Sequence, residues 1–350
     1  MNVGIIGAGG IALKLHLPQI AEQPEMKVTH LSGRKERRLR LLADRFDVPH
    51  WSADPRAMLA DESLDGVIVA LPHPLHVAAG LEVLAAGKHL LMQKPLCDTL
   101  PEAERFVEAV ERSDRTVLVL PHFAPEIYRS RELLQQGAIG KPSGAHCRTS
   151  HGGPEVYYAE VRDGFQETGE DLWFFDAKQA SVGALFDMGV YAVAALVAVL
   201  GSVRSVMGQV ATLDKPTELE DAASLILQFE SGALATAETS WCDPARTWQF
   251  RVHGTRGKIT LPGQDGAAMT RWEPGSYTRE DIPPVPHPVE AKGASRGNVH
   301  QHWLACIREG RQPELSHAWA ARHVTEVLLA GLESSRTGRR VEIRSRAERG

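Results

Sequence analysis

Asn2-Val3-Gly4-Ile5-Ile6-Gly7-Ala8-Gly9-Gly10-Ile11-Ala12 carries a strand, a glycine turn and a helix start within eleven residues of one another. Residues 2–6 are short and almost wholly apolar, the pattern of a strand covered on both faces. Gly7 to Ala12 then reads G-x-G-x-x-A, followed by a helical pattern over Ile11–Ala21. In such a turn the first glycine permits the sharp bend and the second lets the backbone approach a pyrophosphate. The small third residue lets the helix pack closely on the strand. Unpaired N–H groups and the positive dipole end of the new helix face the phosphates. Gly7, Gly9, Gly10 and Ile11 are therefore candidate dinucleotide contacts.

The residues that follow keep the same rhythm. Strand patterns at Lys27–Leu31, Gly66–Leu71, His89–Met92 and Thr116–Leu120 alternate with helical patterns at Glu36–Phe46, Leu75–Ala86 and Pro101–Ser113. Such alternation predicts a parallel sheet with crossover helices, a Rossmann domain over residues 1–121. Beyond it the pattern changes. A helix is expected at Glu126–Gln136 and a strand at Ser143–Arg148, then a poorly patterned stretch, His151–Lys178, and an apolar helix from Ala180 to Leu200. Strand patterns at Val203–Leu213, Ala222–Phe229, Ala233–Trp241, Thr247–His253 and Lys258–Leu261 follow in close succession. Short connections between consecutive strands favour antiparallel pairing. Pro262–Arg296 reads as a surface excursion, and helices at Val299–Glu309 and His317–Thr337 close the chain. The expected fold class is α/β, with a second α/β domain over 122–350 built on an open, mainly antiparallel sheet.

Bulk properties narrow the function classes. The 350 residues suggest roughly two domains, and a chain this long needs no disulfide or metal staple to bury a core. Formal charge is only −5, and the densest basic stretch is Arg34-Lys35-Glu36-Arg37-Arg38. One short patch argues against a nucleic-acid partner, which needs an extended basic surface. Cys97, Cys147, Cys242 and Cys306 lie far apart, and His300 and His302 lack partners at metal-ligand spacing. No metal site is expected, and both histidines read as surface or helix-face residues. The apolar run Val190–Leu200 is too short to span a bilayer, and the immediate start on a strand leaves no room for a secretory leader. A cytoplasmic location without a membrane partner is the expectation.

The end of the second strand bears on the cofactor. An acidic residue there ordinarily holds the ribose hydroxyls of NAD, but this chain reads Leu31-Ser32-Gly33-Arg34-Lys35. Ser32 and Arg34, with Gly33 between them, can donate to a 2′-phosphate that a carboxylate would repel. NADP is the expected cofactor, with NAD the alternative. Arg34 to Arg38 could instead form a solvated helix face.

Several motifs then point to a family. Pro72-His73-Pro74-Leu75-His76, Ala86-Gly87-Lys88-His89 and Met92-Gln93-Lys94-Pro95-Leu96 resemble the glucose–fructose oxidoreductase/inositol dehydrogenase/MocA family, in which the last is a Glu-Lys-Pro signature. Gly183-Ala184-Leu185-Phe186-Asp187-Met188-Gly189-Val190-Tyr191 resembles its second signature, and Ile307–Gly310 and Thr337–Val341 resemble its closing helices and strand. Two departures stand out. Gln93 replaces the usual Glu, and Ser181-Val182 replace the first two of three glycines. Tyr191 stands where many members have His. The resemblance implies a nicotinamide-dependent oxidoreductase acting on a sugar or other polyol. It also implies cofactor contacts from Leu71, Pro72, His73, His76, Gln93 and Lys94.

The chemistry implied centres on three side chains. Lys94 follows a strand whose carboxyl end faces the ligand crevice of such a sheet, where an ammonium can polarise a substrate oxygen; otherwise it is a surface lysine. Gly183, Asp187 and Tyr191 are spaced i, i+4, i+8, so one turn follows another along a single helix face. Glycine there would leave room for nicotinamide or substrate. A carboxylate on so apolar a helix needs a partner, and Lys94 or a substrate hydroxyl could serve; the plain alternative is a structural Asp–Tyr pair. Lys94 is expected to polarise the oxygen, Tyr191 to exchange the hydroxyl proton and Asp187 to orient substrate hydroxyls, with a neighbouring cation such as Lys94 helping the phenol act as base. His122, Trp173 and Phe174 are weaker substrate-binding candidates. A glycoside hydrolase using tightly held NAD, and a non-catalytic dinucleotide-binding regulator, are the competing functions. An open sheet face also predicts a homodimer or homotetramer.

Overall fold

The computed structural model describes residues 1–168, 172–264, 266–276, 279 and 282–348. The chain folds into two compact units, each drawn from three stretches of sequence. The first comprises Met1–His122, Pro154–Ser181 and Gly297–Arg322; the second comprises Phe123–Gly153, Val182–Arg296 and His323–Gly350. Where the sequence suggested one boundary at 121/122, the first unit thus takes in two later segments. Hydrogen bonds explain one of them: Gln312 accepts from the Val117 N–H at 2.9 Å and donates to the Arg115 carbonyl at 2.9 Å.

The first unit holds a six-stranded parallel sheet. Its strands are β1 (Asn2–Ile6), β2 (Lys27–Ser32), β3 (His50–Ser52), β4 (Gly66–Val69), β5 (His89–Met92) and β6 (Val117–Val119), in the order β3-β2-β1-β4-β5-β6. This is the doubly wound order of a dinucleotide-binding sheet. Val3, Ile5, Val67, Ile68, Leu90, Leu91, Val117 and Leu118 are all fully buried, so the apolar runs are explained by helices on both faces. The short β3 and the helix Arg56–Leu59 carried too little pattern to be anticipated. The first crossover helix includes a π-helical turn, Ala12–His16, before the α-helix Leu17–Ala21. The segment read as unpatterned contains a further helix, Pro154–Phe165, which buries Val161 and Phe165 in the core of this unit.

The second unit is built on a nine-stranded sheet. Its strands are β7 (Pro142–Ser150), β8 (Val203–Ala211), β9 (Ala222–Phe229), β10 (Leu234–Ser240), β11 (Thr247–Gly254), β12 (Gly257–Leu261), β13 (Thr270–Glu273), β14 (Val285–Pro288) and β15 (Val341–Glu342). They lie in the order β14-β13-β12-β11-β7-β10-β9-β8-β15, all antiparallel except for the parallel pair β7–β10. The supposed surface excursion therefore adds two strands, although 265, 277, 278, 280 and 281 lie outside the described residues. Alternation along β9 buries Leu225, Leu227 and Phe229 on one face. On the other, Met207, Ile226 and Leu234 are exposed. The apolar helix Gly189–Leu200 packs against β7 and β10.

Candidate active site

The glycine turn at the end of β1 assigns a separate task to each glycine. Gly7 has φ +112°, and a Cβ on it would lie 2.3 Å from the Ala70 carbonyl oxygen, so only glycine fits. Its N–H donates to the Ser32 carbonyl at 2.8 Å, joining the ends of β1 and β2. Gly9 is different: a Cβ there would meet nothing within 4 Å. That open space is the cradle a pyrophosphate needs, and the residues present fit a dinucleotide. Gly10 answers to packing instead. A Cβ there would strike the Val161 Cγ2 at 2.4 Å and the Tyr157 hydroxyl at 2.8 Å, both on the helix Pro154–Phe165. Ile11, half-buried, follows directly where the first crossover helix begins.

Beyond β2, Ser32 is buried, Gly33 packs against Ala8, and Arg34 and Lys35 are exposed at the head of the helix Glu36–Phe46. The basic cluster is neither a bare phosphate site nor simply a solvated face, because Glu167 enters it. Arg38 Nε donates to the Glu167 carboxylate at 2.7 Å and a guanidinium nitrogen pairs with its other oxygen. Lys35 Nζ and Arg37 Nη1 lie 3.9 and 4.0 Å from the same carboxylate. These cations, Arg38 foremost, hold the Glu167 carboxyl below its ordinary range.

The segment after β4 also divides into contact and support. His73 is buried, with its ring 5.9 Å from that of Trp173 and Nε2 3.4 Å from the Ser181 hydroxyl, which also pairs with Asp98. Leu71 and Pro72 are half-buried just before it. Trp173 in turn lies 4.1 Å, ring to ring, from Phe174. His76 was expected to touch the cofactor, but it is buried with Nδ1 2.7 Å from the Pro95 carbonyl and Nε2 2.8 Å from the Leu71 carbonyl. It ties the two strand ends together. Burial lowers its pKa to about 4, against the pull of both carbonyls.

Gln93 explains its own departure from the family pattern. Its amide nitrogen lies 3.0 Å from His16 Nε2, and its amide oxygen accepts from the Lys94 N–H at 3.3 Å. An amide nitrogen only donates, so His16 carries its proton on Nδ1. That nitrogen is 2.9 Å from His300 Nε2, leaving His300 protonated on Nδ1, 3.1 Å from the Gln19 side-chain oxygen. One direction of donation thus runs Gln93, His16, His300, Gln19. Burial, first of all, pushes His16 well below the usual histidine range and His300 down to about 4, so both stay neutral. Gln93, expected to contact the cofactor, heads this buried chain. His300 and His302 are likewise core residues rather than surface ones, 0% and 1% exposed. His122 lies with its ring 5.3 Å from that of His302, and burial lowers its pKa to about 4.

Lys94 follows β5, half-buried, in the first unit; Asp187 and Tyr191 belong to the second. The helix expected to carry the latter two on one face is interrupted. Ala184–Asp187 ends at Met188, and Gly189–Leu200 begins anew. At Gly183, which precedes the first of these helices, the anticipated room for a ligand is already filled. A Cβ there would lie 2.1 Å from the Glu220 carbonyl oxygen. Glu220 accepts from the Ala184 N–H through that carbonyl at 2.8 Å, and through its carboxylate from the Gly183 N–H at 2.9 Å. It caps the helix start, and burial raises its pKa.

Asp187 finds partners that the sequence did not suggest. The Trp241 indole N–H donates to its Oδ2 at 3.0 Å, and His151 Nε2 lies 3.5 Å from the same oxygen. The Gly153 N–H donates to His151 Nδ1 at 2.9 Å, so the neutral ring carries its proton on Nε2, toward Asp187. No spacing in sequence links residues 151, 187 and 241: His151 and Trp241 follow the paired strands β7 and β10, and the helix ending at Asp187 packs against β10. Tyr191, half-buried, opens the next helix, with its N–H bonded to the Met188 carbonyl at 3.1 Å.

A doubly wound sheet, an open glycine cradle and a mainly antiparallel second sheet define a dinucleotide-binding α/β enzyme class. Residues 1–120 match the model of the oxidoreductase family with an NAD-binding Rossmann fold, and residues 127–260 match the GFO/IDH/MocA C-terminal domain. The chain belongs to this oxidoreductase family. It is 26% identical over 354 residues to D-apiose dehydrogenase from Paraburkholderia graminis, covering 97% of this chain and 89% of the relative. It is 28% identical over 261 residues to D-xylose 1-dehydrogenase (NADP(+)) 2 from Haloferax volcanii, covering 74% and 75%. Among solved structures, GenD2 from gentamicin A biosynthesis in complex with NAD has the same fold, with TM-score 0.79, 24% identity and coverage of 99% and 97%.

Proposed function

We propose that this chain transfers hydride between a nicotinamide and a carbinol or carbonyl carbon of a sugar or polyol, using NADP in preference to NAD. The observation that carries this reading is the open space over Gly9 at the end of β1. The bound nicotinamide supplies or accepts hydride. Lys94 polarises the reacting oxygen, Tyr191 exchanges the hydroxyl proton, and Asp187, oriented by Trp241 and His151, directs the substrate hydroxyls. His122, Trp173 and Phe174 are assigned to the substrate side. Relatives named for D-apiose and D-xylose support a carbohydrate substrate. Ser32 and Arg34, with no carboxylate from β2, support NADP.

The exposed Met207, Ile226 and Leu234 support a homodimer or homotetramer formed on the open sheet face. Four free cysteines suit a cytoplasmic setting. Among the described residues, no helix is long and apolar enough to cross a membrane. The test is a panel of sugars and polyols incubated with NADP or NAD while reduced cofactor is followed by absorbance. Release of reduced cofactor in proportion to substrate consumed is expected. Sugar release without net reduction would favour the glycoside hydrolase, and binding without turnover across the panel would favour a regulator.

A further inference from the structure

We infer that Glu167 is a specificity-determining residue, a built-in anion that competes with the 2′-phosphate of NADP for the basic cluster after β2. This deepens the cofactor reading above and rests on the glycine turn as the dinucleotide site. An NAD-selective fold places its carboxylate at the end of the second strand, and this chain has none there. The carboxylate arrives instead from a segment 129 residues away, to pair with Arg38 in two hydrogen bonds.

Its delivery is built rather than incidental. The helix Pro154–Phe165 lies over Gly10, and Lys14 pairs with Glu160 and sits 4.9 Å from the Tyr157 ring centre. The helix ends when Gln166 takes φ +53°, a left-handed conformation that is strained for a non-glycine residue. The Glu167 N–H then bonds back to the Arg162 carbonyl at 2.9 Å, while the Gln166 carbonyl accepts from Arg37 at 3.1 Å. Arg38 stacks 4.5 Å from the centre of the buried Phe165 ring. The Arg38 and Glu167 side chains are only 16% and 19% exposed. Partial burial of the pair keeps its charge effective at short range.

The charge count gives the consequence. Arg34, Lys35, Arg37 and Arg38 supply four positive charges, while Glu36 is 2.7 Å from Arg40 on the same helix. With Glu167 present, the surplus still favours a phosphate, so NADP is preferred only modestly and NAD is admitted. Removing the carboxylate removes a repulsion that discriminates between the cofactors, because NADP alone carries the 2′-phosphate and the pyrophosphate is common to both.

The experiment measures the Kd of NADPH and NADH by quenching of tryptophan fluorescence in the full chain and in Glu167→Gln. The variant is expected to bind NADPH about tenfold more tightly, with NADH changed less than twofold, and the gain should shrink as salt is raised. A control, Gln166→Gly, relieves the left-handed strain while keeping the carboxylate, and should leave the NADPH/NADH ratio within about twofold of the parent. An unchanged ratio in Glu167→Gln, or weaker NADPH binding, would overturn the inference. The parent's own ratio tests the NADP preference separately: an excess of NADH affinity there, with a gain for NADPH in the variant, would refute the preference and sustain the role of Glu167.

Discussion

Gln93 and His16 meet at 3.0 Å, amide nitrogen to Nε2, in the buried core of the first unit. This contact selects an amide where the family pattern has a carboxylate. His16 and His300 are neutral because burial lowers both. Their folded pKa values lie below the unfolded value near 6.5, so they contribute stability above that pH which is lost as pH falls toward about 4. Replacing Gln93 by Glu sets a carboxylate beside His16 and raises its pKa in the folded state, which then contributes stability at low pH that is lost as pH rises. Scanning calorimetry from pH 5 to 8 should show the parent's melting temperature rising with pH. Gln93→Glu should be flat or falling, and parallel slopes would contradict the assignment.

Gly7 and Gly9 should respond in opposite ways to the same methyl group. At Gly7 it meets backbone 2.3 Å away in a left-handed conformation, so Gly7→Ala should cost several kcal/mol of stability. At Gly9 it enters open space, so Gly9→Ala should melt within about 2 °C of the parent. It should nonetheless weaken NAD(P)H binding by about tenfold or more, because it fills the cradle. Undiminished binding in Gly9→Ala would place the phosphates elsewhere.

Asp187 has a structural duty as well as its proposed chemical one. Asp187→Ala removes the acceptor 3.0 Å from the Trp241 indole N–H, at a cost of about 1–3 kcal/mol. Asp187→Asn retains an acceptor oxygen and should recover much of that stability in denaturant titrations. Both should lower turnover, by about tenfold or more, if the charge orients substrate. An Asn variant as stable and as active as the parent would reduce Asp187 to a scaffold.

The nucleotide-binding half was legible because each of its signals is local. Apolar runs mark β1, β4, β5 and β6, the helix Glu36–Phe46 ends where its pattern ends, and the glycine turn follows β1 directly. The site was less legible where partners are distant. Nothing near Glu167 announces Arg38, nor does His151 announce Asp187; each pair is made by tertiary packing. Glu220 was hidden for the same reason, since i, i+4 spacing cannot register a cap that reaches the helix start from 37 residues away. His300 looked superficial beside polar neighbours, but its helix turns it toward His16.

Lys94 offers the most direct test of hydride transfer to or from a polarised oxygen. Once the panel has identified a substrate, Lys94→Ala should be compared with the parent for turnover and for NAD(P)H binding. Turnover should fall by about 10²–10⁴-fold, with dinucleotide affinity within a few-fold of the parent, since the glycine cradle is untouched. Turnover retained within tenfold would contradict the assignment of Lys94 and the oxidoreductase mechanism built on it.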